Sequence, residues 1–331
     1  ANLTITVLGA NDAPVAQNDT GTVNEDATLT VSNSGNATSV TAATHDPSPL
    51  DTSSQDGHPV GLRFNDDGTK MFMVGGAGDD INEYALSTAF DVSTATYTRN
   101  YDPSEENDPQ GVAFNSDGTK MFIIGMDNNT IELHEYALST AYNLSSVSHT
   151  TSTDLTSKLP SGSQDVLGYG IDFNTAGTKF FFSGRTNNKI YEFTVSSGFD
   201  LTSTVAYDSA LDISSEATAN QAFRFNNDGT KLFVVCSAAD DVTEYTLTTG
   251  FDISTATHVG SLSVASQDNG PGGLAFNNDG TKMFVGGLRD YDINEYALTT
   301  PFSLIDVSGE NTGDVIDSSN TSTRDTDVDV E

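Results

Sequence analysis

The sequence predicts an all-β fold: a five-bladed β-propeller of four-stranded blades, closed by an N-terminal strand, with a small β-sandwich-like flank formed by the two termini. Three observations predict it. A motif of the form Phe-Asn-x-Asp-Gly-Thr-Lys-Met-Phe-Val recurs five times, starting at Phe64, Phe114, Phe173, Phe225 and Phe276. Its lysines, Lys70, Lys120, Lys179, Lys231 and Lys282, are 50, 59, 52 and 51 residues apart, a period that suits four short strands with their turns. Finally, the strand count closes only if one strand comes from upstream of the first motif.

Each element follows from local chemistry. An apolar run such as residues 273–276 reads as the innermost strand a. Asn-x-Asp-Gly then supplies a hairpin turn, with Asp bonding its own backbone and Gly taking positive φ. Strand b follows (283–286 in the last copy), then a polar b–c loop, then strand c, where residues 293–298 alternate sides with the period of two that a strand requires. A second turn, such as that from Ser87, leads into the outer strand d, for example 97–101. The five copies supply strands a, b and c, but only four inter-repeat segments supply strand d. Residues 53–62 parallel residues 265–274, so residues 39–45 read as a strand d that pairs with 293–298 and closes the ring as a clasp. The alternative is that residues 303–307 complete the last blade. Either way the sheet edges stay short or covered.

Composition limits the partners. Thirteen basic residues face 47 acidic ones, for a formal net charge of −34, which repels nucleic acid and anionic membranes and favours cations. No nucleic-acid partner is expected. Nor is membrane insertion, since no apolar stretch approaches the ~18 residues a spanning helix needs. The single cysteine, Cys236, reads as a small buried apolar residue at the end of a strand b. With no signal peptide at Ala1, the chain reads as an interior piece of something larger.

The repeated charges read as structural. Every strand c carries a glutamate (Glu83, Glu135, Glu192, Glu244, Glu295) and every motif a lysine, which a tight b–c hairpin places within reach of a partly buried ion pair. A ring of carboxylates around a channel is the functional alternative, weakened because strand c is not innermost. Beside the glutamates, Tyr84, Tyr136, Tyr191, Tyr245 and Tyr296 read as inter-blade packing with bonded hydroxyls. Asp67, Asp117, Asp228 and Asp279 lack the ligand spacing of an EF-hand loop, and the third copy has Ala176 instead.

Ligand chemistry is expected where the d–a and b–c connections meet on one face. The d–a loops carry Gln55-Asp56, Gln110, Gln164-Asp165 and Gln267-Asp268. The b–c loops differ from copy to copy, as a binding surface on a regular scaffold requires. They supply the candidate ligand-binding residues Asp79, Asp80, Arg185, Asn187, Asp240, Asp241, Arg289, Asp290, Tyr291 and Asp292, with Arg289 and Tyr291 as anchors. The alternative is a solvated acidic rim. For metal, the alternating Asp325, Asp327 and Asp329, with Asn11, Asp12, Glu25 and Asp26 as partners, are hard oxygen donors suited to calcium.

The segments TITVLGANDAPVAQNDT at 4–20 and VNEDATLTV at 23–31, with the aspartate-rich GDVIDSSN at 313–320 and DTDVDVE at 325–331, resemble the VCBS-type, cadherin-like β-sandwich repeats of giant bacterial surface proteins. The resemblance implies a module with residues 1–37 and 306–331 as its halves and the propeller, 38–305, inserted between them. The blades resemble the bacterial "DGTK" propeller repeats of large extracellular proteins. Together these imply an extracellular or cell-surface location and neighbouring domains of the same polypeptide as partners.

The five histidines, His45, His58, His134, His149 and His258, form no metal-binding pair and no triad spacing. The expectation is therefore a non-enzymatic binding module of an adhesin-like protein, recognising a glycan or protein through the acidic loop face. The first alternative is a structural spacer or a component of a filament or phage particle. A propeller enzyme, lyase or hydrolase, comes last; it would show non-repeating His, Glu or Arg side chains converging at the channel mouth, with Arg63, Arg224 and Arg289 as the odd residues out.

Overall fold

The computed structural model of the chain describes residues 43–305, apart from 128, 162, 164 and 166. The expected terminal module, with Asn11, Asp12, Glu25, Asp26, Asp325, Asp327 and Asp329, lies outside the described residues. Within them no helix is long and apolar enough to cross a membrane.

The chain forms β1 (Ala43–His45) and β2 (Leu50–Asp51), then blade 1 as β3 (Pro59–Phe64), β4 (Lys70–Gly75), β5 (Asp80–Leu86) and β6 (Ala95–Tyr101). Blade 2 is β7 (Pro109–Phe114), β8 (Lys120–Asp127), β9 (Thr130–Leu138) and β10 (Val147–Asp154); blade 3 is β11 (Gly168–Phe173), β12 (Lys179–Gly184), β13 (Lys189–Val195) and β14 (Val205–Asp212). Blade 4 is β15 (Asn220–Phe225), β16 (Lys231–Cys236), β17 (Asp241–Leu247) and β18 (Ala256–Ser263); blade 5 is β19 (Pro271–Phe276), β20 (Lys282–Gly287) and β21 (Asp292–Leu298). All are antiparallel meanders, and β3, β7, β11, β15 and β19 pack against one another around the centre. The sequence-predicted five-bladed propeller is the observed fold.

The N-terminal clasp closes it. β1 pairs with β21 through Ala43↔Leu298, Thr44↔Ala297 and His45↔Tyr296, and β2 continues the ladder through Leu50↔Ile293 and Asp51↔Asp292. Strand d of blade 5 is thus split in two, because Pro47 and Pro49 between the halves have no N–H to give the ladder. Residues 301–305 make turns and no strand, so of the two closures it is the N-terminal one that forms.

The Asn-x-Asp-Gly turns adopt the expected chemistry and add a contact that the motif alone does not reveal. Gly68, Gly118, Gly177, Gly229 and Gly280 have φ of 68–72°, and each lies under the ring of an aromatic residue itself at positive φ: Phe90, Tyr142, Phe199, Phe251 and Phe302. A Cβ on Gly229 would lie 2.3 Å from the Phe251 ring. Gly229→Ala is therefore expected to destabilise the propeller by about 2–4 kcal/mol, combining left-handed strain with overpacking. The shift of the urea midpoint measures this; a shift below a fifth of it would show that Phe251 can move aside.

Lys–Glu pairing also holds, and it binds neighbouring blades. Glu135 accepts Lys120 Nζ at 2.7 Å on one oxygen and the Leu201 N–H at 2.8 Å on the other, while Lys120 also donates to the Phe199 carbonyl at 2.6 Å. Leu201 and Phe199 belong to the next blade. The same staple joins Lys231 and Glu244 to Phe302 and Leu304, and Lys282 and Glu295 to Phe90 and Val92 across the ring closure. So residues 302–304 supply the turn that blade 4 grips, while strand d of their blade comes from the other end of the chain. The tyrosines depart from expectation: the Tyr191 hydroxyl donates to Asp165 at 3.1 Å, but those of Tyr84 and Tyr296 are buried without a protein partner among the described residues.

Candidate functional site

Strand a sets the geometry of the channel. Gly61, Gly111, Gly170, Ala222 and Gly273 occupy one position in the five blades, two residues after the bulged strand starts. A Cβ on Gly111 would lie 3.0 Å from the Gly170 Cα, and one on Gly170 3.1 Å from the Ala222 Cα. Small residues let the inner backbones meet in a ring this narrow, and the residues on either side of this waist line two separate mouths.

The upper mouth is on the d–a and b–c face. It is a cavity of about 260 Å3 whose lining residues come from three positions of the blade repeat. The position before the small residue contributes Val60, Gln110, Tyr169 and Gln221; two residues earlier come His58 and Asp108; the residue after strand b gives Gly76, Arg185 and Leu288. One repeated backbone bond holds these positions together, for example Gly76 N–H to the His58 carbonyl at 2.9 Å and Met126 N–H to the Asp108 carbonyl at 3.2 Å. Blades 5 and 1 present Leu288, Val60 and Gly76, an apolar wall with His58 at its rim, whereas blades 2, 3 and 4 present acid, amide, phenol and guanidinium groups.

Electrostatically the polar wall is mixed. The Arg185 side chain donates to the Tyr169 hydroxyl at 3.2 Å and lies over its ring at 5.4 Å, while its backbone N–H bonds the Leu167 carbonyl at 2.9 Å. Its remaining donors are available to an anion. Burial pushes the Asp108 carboxyl up, opposed by the Gln110 amide that donates to it. The Gln221 side-chain amide donates to Ser237 at 3.2 Å, but its buried Oε1 has no protein partner among the described residues. His58 is exposed at the rim, its ring 6.1 Å from that of Tyr291.

The lower mouth is a second cavity, of about 280 Å3, with a charge network at its base. Arg63 donates to Asp172 at 2.8 Å and to the Ile171 carbonyl at 2.5 Å, and Arg224 to the Leu62 and Ile171 carbonyls at 2.6 and 3.2 Å. Asp172 also accepts the Phe173 and Phe225 N–H groups at 3.0 and 3.1 Å. Burial raises the Asp172 carboxyl despite Arg63, and lowers the Arg63 guanidinium despite Asp172. Arg63 pairs with Asp172, Arg224 donates to backbone carbonyls while its Nε has no partner among the described residues, and together they tie blades 1, 3 and 4 across the axis.

Of the ten residues expected to bind ligand, Arg185 lines the upper mouth and the others do not. Arg289 is exposed and donates to Asn269 at 2.9 Å. Asp80 is buried against Asn82 and Asn100, at 2.5 and 2.6 Å. Asn187 gives its backbone N–H to Asp165 at 3.3 Å, and Asp79 and Asp240 hold positive-φ turn positions. Asp241 and Asp292 start strands, and Asp290 and Tyr291 are exposed in the turn between β20 and β21. Reading the loops for variation missed His58, Asp108, Tyr169 and Gln221. The available signal was the alignment of the five strands a, where the position before the small residue reads Val, Gln, Tyr, Gln, Gly while its surroundings repeat.

No family model and no curated protein matches the chain. Its fold is similar to solved propellers at low identity. The periplasmic gluconolactonase of Pseudomonas aeruginosa is 12% identical with a TM-score of 0.41, over 72% of this chain and 66% of that one. A luciferin-regenerating enzyme is 8% identical with a TM-score of 0.48, over 78% and 96%. The Cps50 (Swd1) propeller domain of Myceliophteria thermophila is 10% identical with a TM-score of 0.44, over 77% and 100%. The likeness is one of fold and assigns no activity to this chain. The expectation of a non-enzymatic, adhesin-like binding module finds no support among these neighbours, two of which are named as enzymes. Within this chain polar groups converge in the upper mouth from equivalent blade positions whose residues do not repeat. The physical reason is that the ring turns the starts of strand a inward and the loop tips outward.

Proposed function

We propose that the propeller is a hydrolase for the ester bond of a small anionic molecule held in the upper mouth. The observation that supports this reading is the convergence of Arg185, Tyr169, Asp108 with Gln110, Gln221 and His58 from four blades on one cavity, opposite an apolar wall. Arg185 would hold the anionic group, and the Leu288–Val60 wall would take the apolar end. His58 would remove a proton from water as it adds to the ester carbonyl. The Tyr169 hydroxyl, which already accepts from Arg185, would donate to the oxyanion. The leaving alkoxide would then recover the proton from the His58 imidazolium.

The test is turnover of a panel of small carboxylate-bearing chromogenic esters. His58→Ala is expected to lower kcat by about 100-fold or more. Arg185→Gln is expected to raise KM by roughly ten- to a hundredfold, the loss of a charge-assisted contact. Near-ultraviolet circular dichroism confirms that both variants are folded. Turnover that survives His58→Ala unchanged, or no turnover of any ester, would overturn the reading.

A further inference from the structure

The d–a loops of four blades carry a carboxylate at one equivalent position: Asp56, Glu106, Asp165 and Asp268, all buried, while blade 4 has Ala217. In blade 1, Asp56 accepts the N–H groups of Gly78 at 2.5 Å and Ala77 at 3.3 Å, from the b–c turn above it. In blade 3, Asp165 accepts those of Thr186 at 3.0 Å and Asn187 at 3.3 Å, and the Tyr191 hydroxyl. Asp268 of blade 5 is 1% exposed, yet neither of its oxygens has a protein partner among the described residues. Tyr296, the counterpart of Tyr191, does not reach it either.

Asp268 lies over Gly287 as Asp56 lies over Gly75 and Asp165 over Gly184, but it takes no N–H from the turn above it. Its Oδ2 and the Oδ1 of Asp292 each lie 2.8 Å from the point where a Cβ on Gly287 would stand, so two carboxylates converge over that glycine. In blades 1, 3 and 4 the hairpin closes with the rungs Gly75↔Asp80, Gly184↔Lys189 and Cys236↔Asp241, whereas in blade 5 the pairing stops at Gly286↔Ile293. Asp292 Oδ1 accepts a single amide, Asn294 Nδ2 at 3.0 Å, and Asp268 has no partner among the described residues. The other blades compensate this pair of positions further. Blade 3 has Lys189 at the position of Asp292, blade 4 has Ala217 at that of Asp268, blade 1 holds Asp80 with two amides, and blade 2 sets His134 between Glu106 and Glu132 at 3.3 and 3.5 Å.

We propose that Asp268 and Asp292 are the carboxylate ligands of a hard divalent-cation site, suited to calcium, that closes the b–c hairpin of blade 5. No three acidic, His or Cys side chains among the described residues meet as a ready-made chelate. Backbone carbonyls and water would complete the six to eight oxygens that calcium takes at about 2.3–2.6 Å. Charge supports a cation: Asp240, Asp290 and Asp292 surround Asp268, with Arg289 the opposing cation, and His45 faces Asp292. Burial, then these carboxylates, push the Asp268 carboxyl up, the direction expected of a buried acid with no cation beside it.

The experiment is calcium titration of residues 1–331, by calorimetry and thermal unfolding at pH 8, against chelator. Wild type is expected to gain about 5 °C in saturating calcium. Asp268→Asn and Asp292→Asn should each lose one bound calcium and most of that gain, and Asp268→Asn should unfold at higher temperature than wild type in chelator. Either variant suffices if the other fails to fold. The inference is overturned if the variants bind as many calcium ions as wild type. It is also overturned if wild type ignores calcium while Asp268→Asn is stabilised, which would make a proton the natural occupant. Binding should survive His58→Ala, so failure of the cation site and failure of the hydrolytic reading are separable.

Discussion

Removing residues 1–51 is expected to destabilise the propeller by about 5 kcal/mol, taking roughly 1 kcal/mol for each ladder pairing lost. The deletion strips Ala43, Thr44, His45, Leu50 and Asp51 from β21, together with the Asp46 N–H bond to the Glu295 carbonyl, 2.8 Å. It also uncovers Tyr296 and Leu298 and leaves β21 as an unpaired edge, the arrangement that invites aggregation. Removing only residues 1–41 provides the control, since it leaves every one of those pairings in place. Scanning calorimetry of both truncations reads the difference. Equal transitions for the two would show that the ring is held by inter-blade packing alone and that the clasp is dispensable.

Glu135→Ala is expected to cost about 3–5 kcal/mol, because it removes one member of a buried pair and leaves the others unpaired. Glu135 is 2% exposed, and its two oxygens serve Lys120 and the Leu201 N–H in the neighbouring blade. Lys120 is about one-third exposed, so the freed ammonium can turn toward water, and the Leu201 N–H bears most of the penalty. Glu135→Gln keeps an acceptor for that N–H and should cost less than half as much. Urea unfolding of the two variants compares them. Equal losses would locate the energy in the Lys120 ion pair and not in the grip on the next blade.

The repeat made blade number, strand order, hairpin glycines and Lys–Glu pairs legible, because each depends on residues close in sequence or equivalent in every copy. Even the clasp could be placed from strand counting, although its break at Pro47 and Pro49 marks a boundary that counting could not supply. The candidate site was less legible. Arg185 was named, yet for its place in a variable loop, while Asp108, Tyr169 and Gln221 lie in or beside strands that read as pure scaffold. Arg63 and Arg224 were noticed as exceptions to the repeat, and the structure gives them a shared structural task with Asp172 across the lower mouth.

By itself, then, the sequence determined the architecture: a period near fifty residues with one strand displaced to the N-terminus admits a closed ring of five four-stranded blades. Only the tertiary structure decided which of the exceptions meet. Equivalent positions in successive copies are about fifty residues apart along the chain, and ring closure brings them to a common axis at the distance of a few side chains. A cavity wall assembled in this way has no linear motif. Whether a carboxylate such as Asp165 is satisfied by its turn, or one such as Asp268 is left facing Asp292, rests on which oxygen the folded backbone can reach.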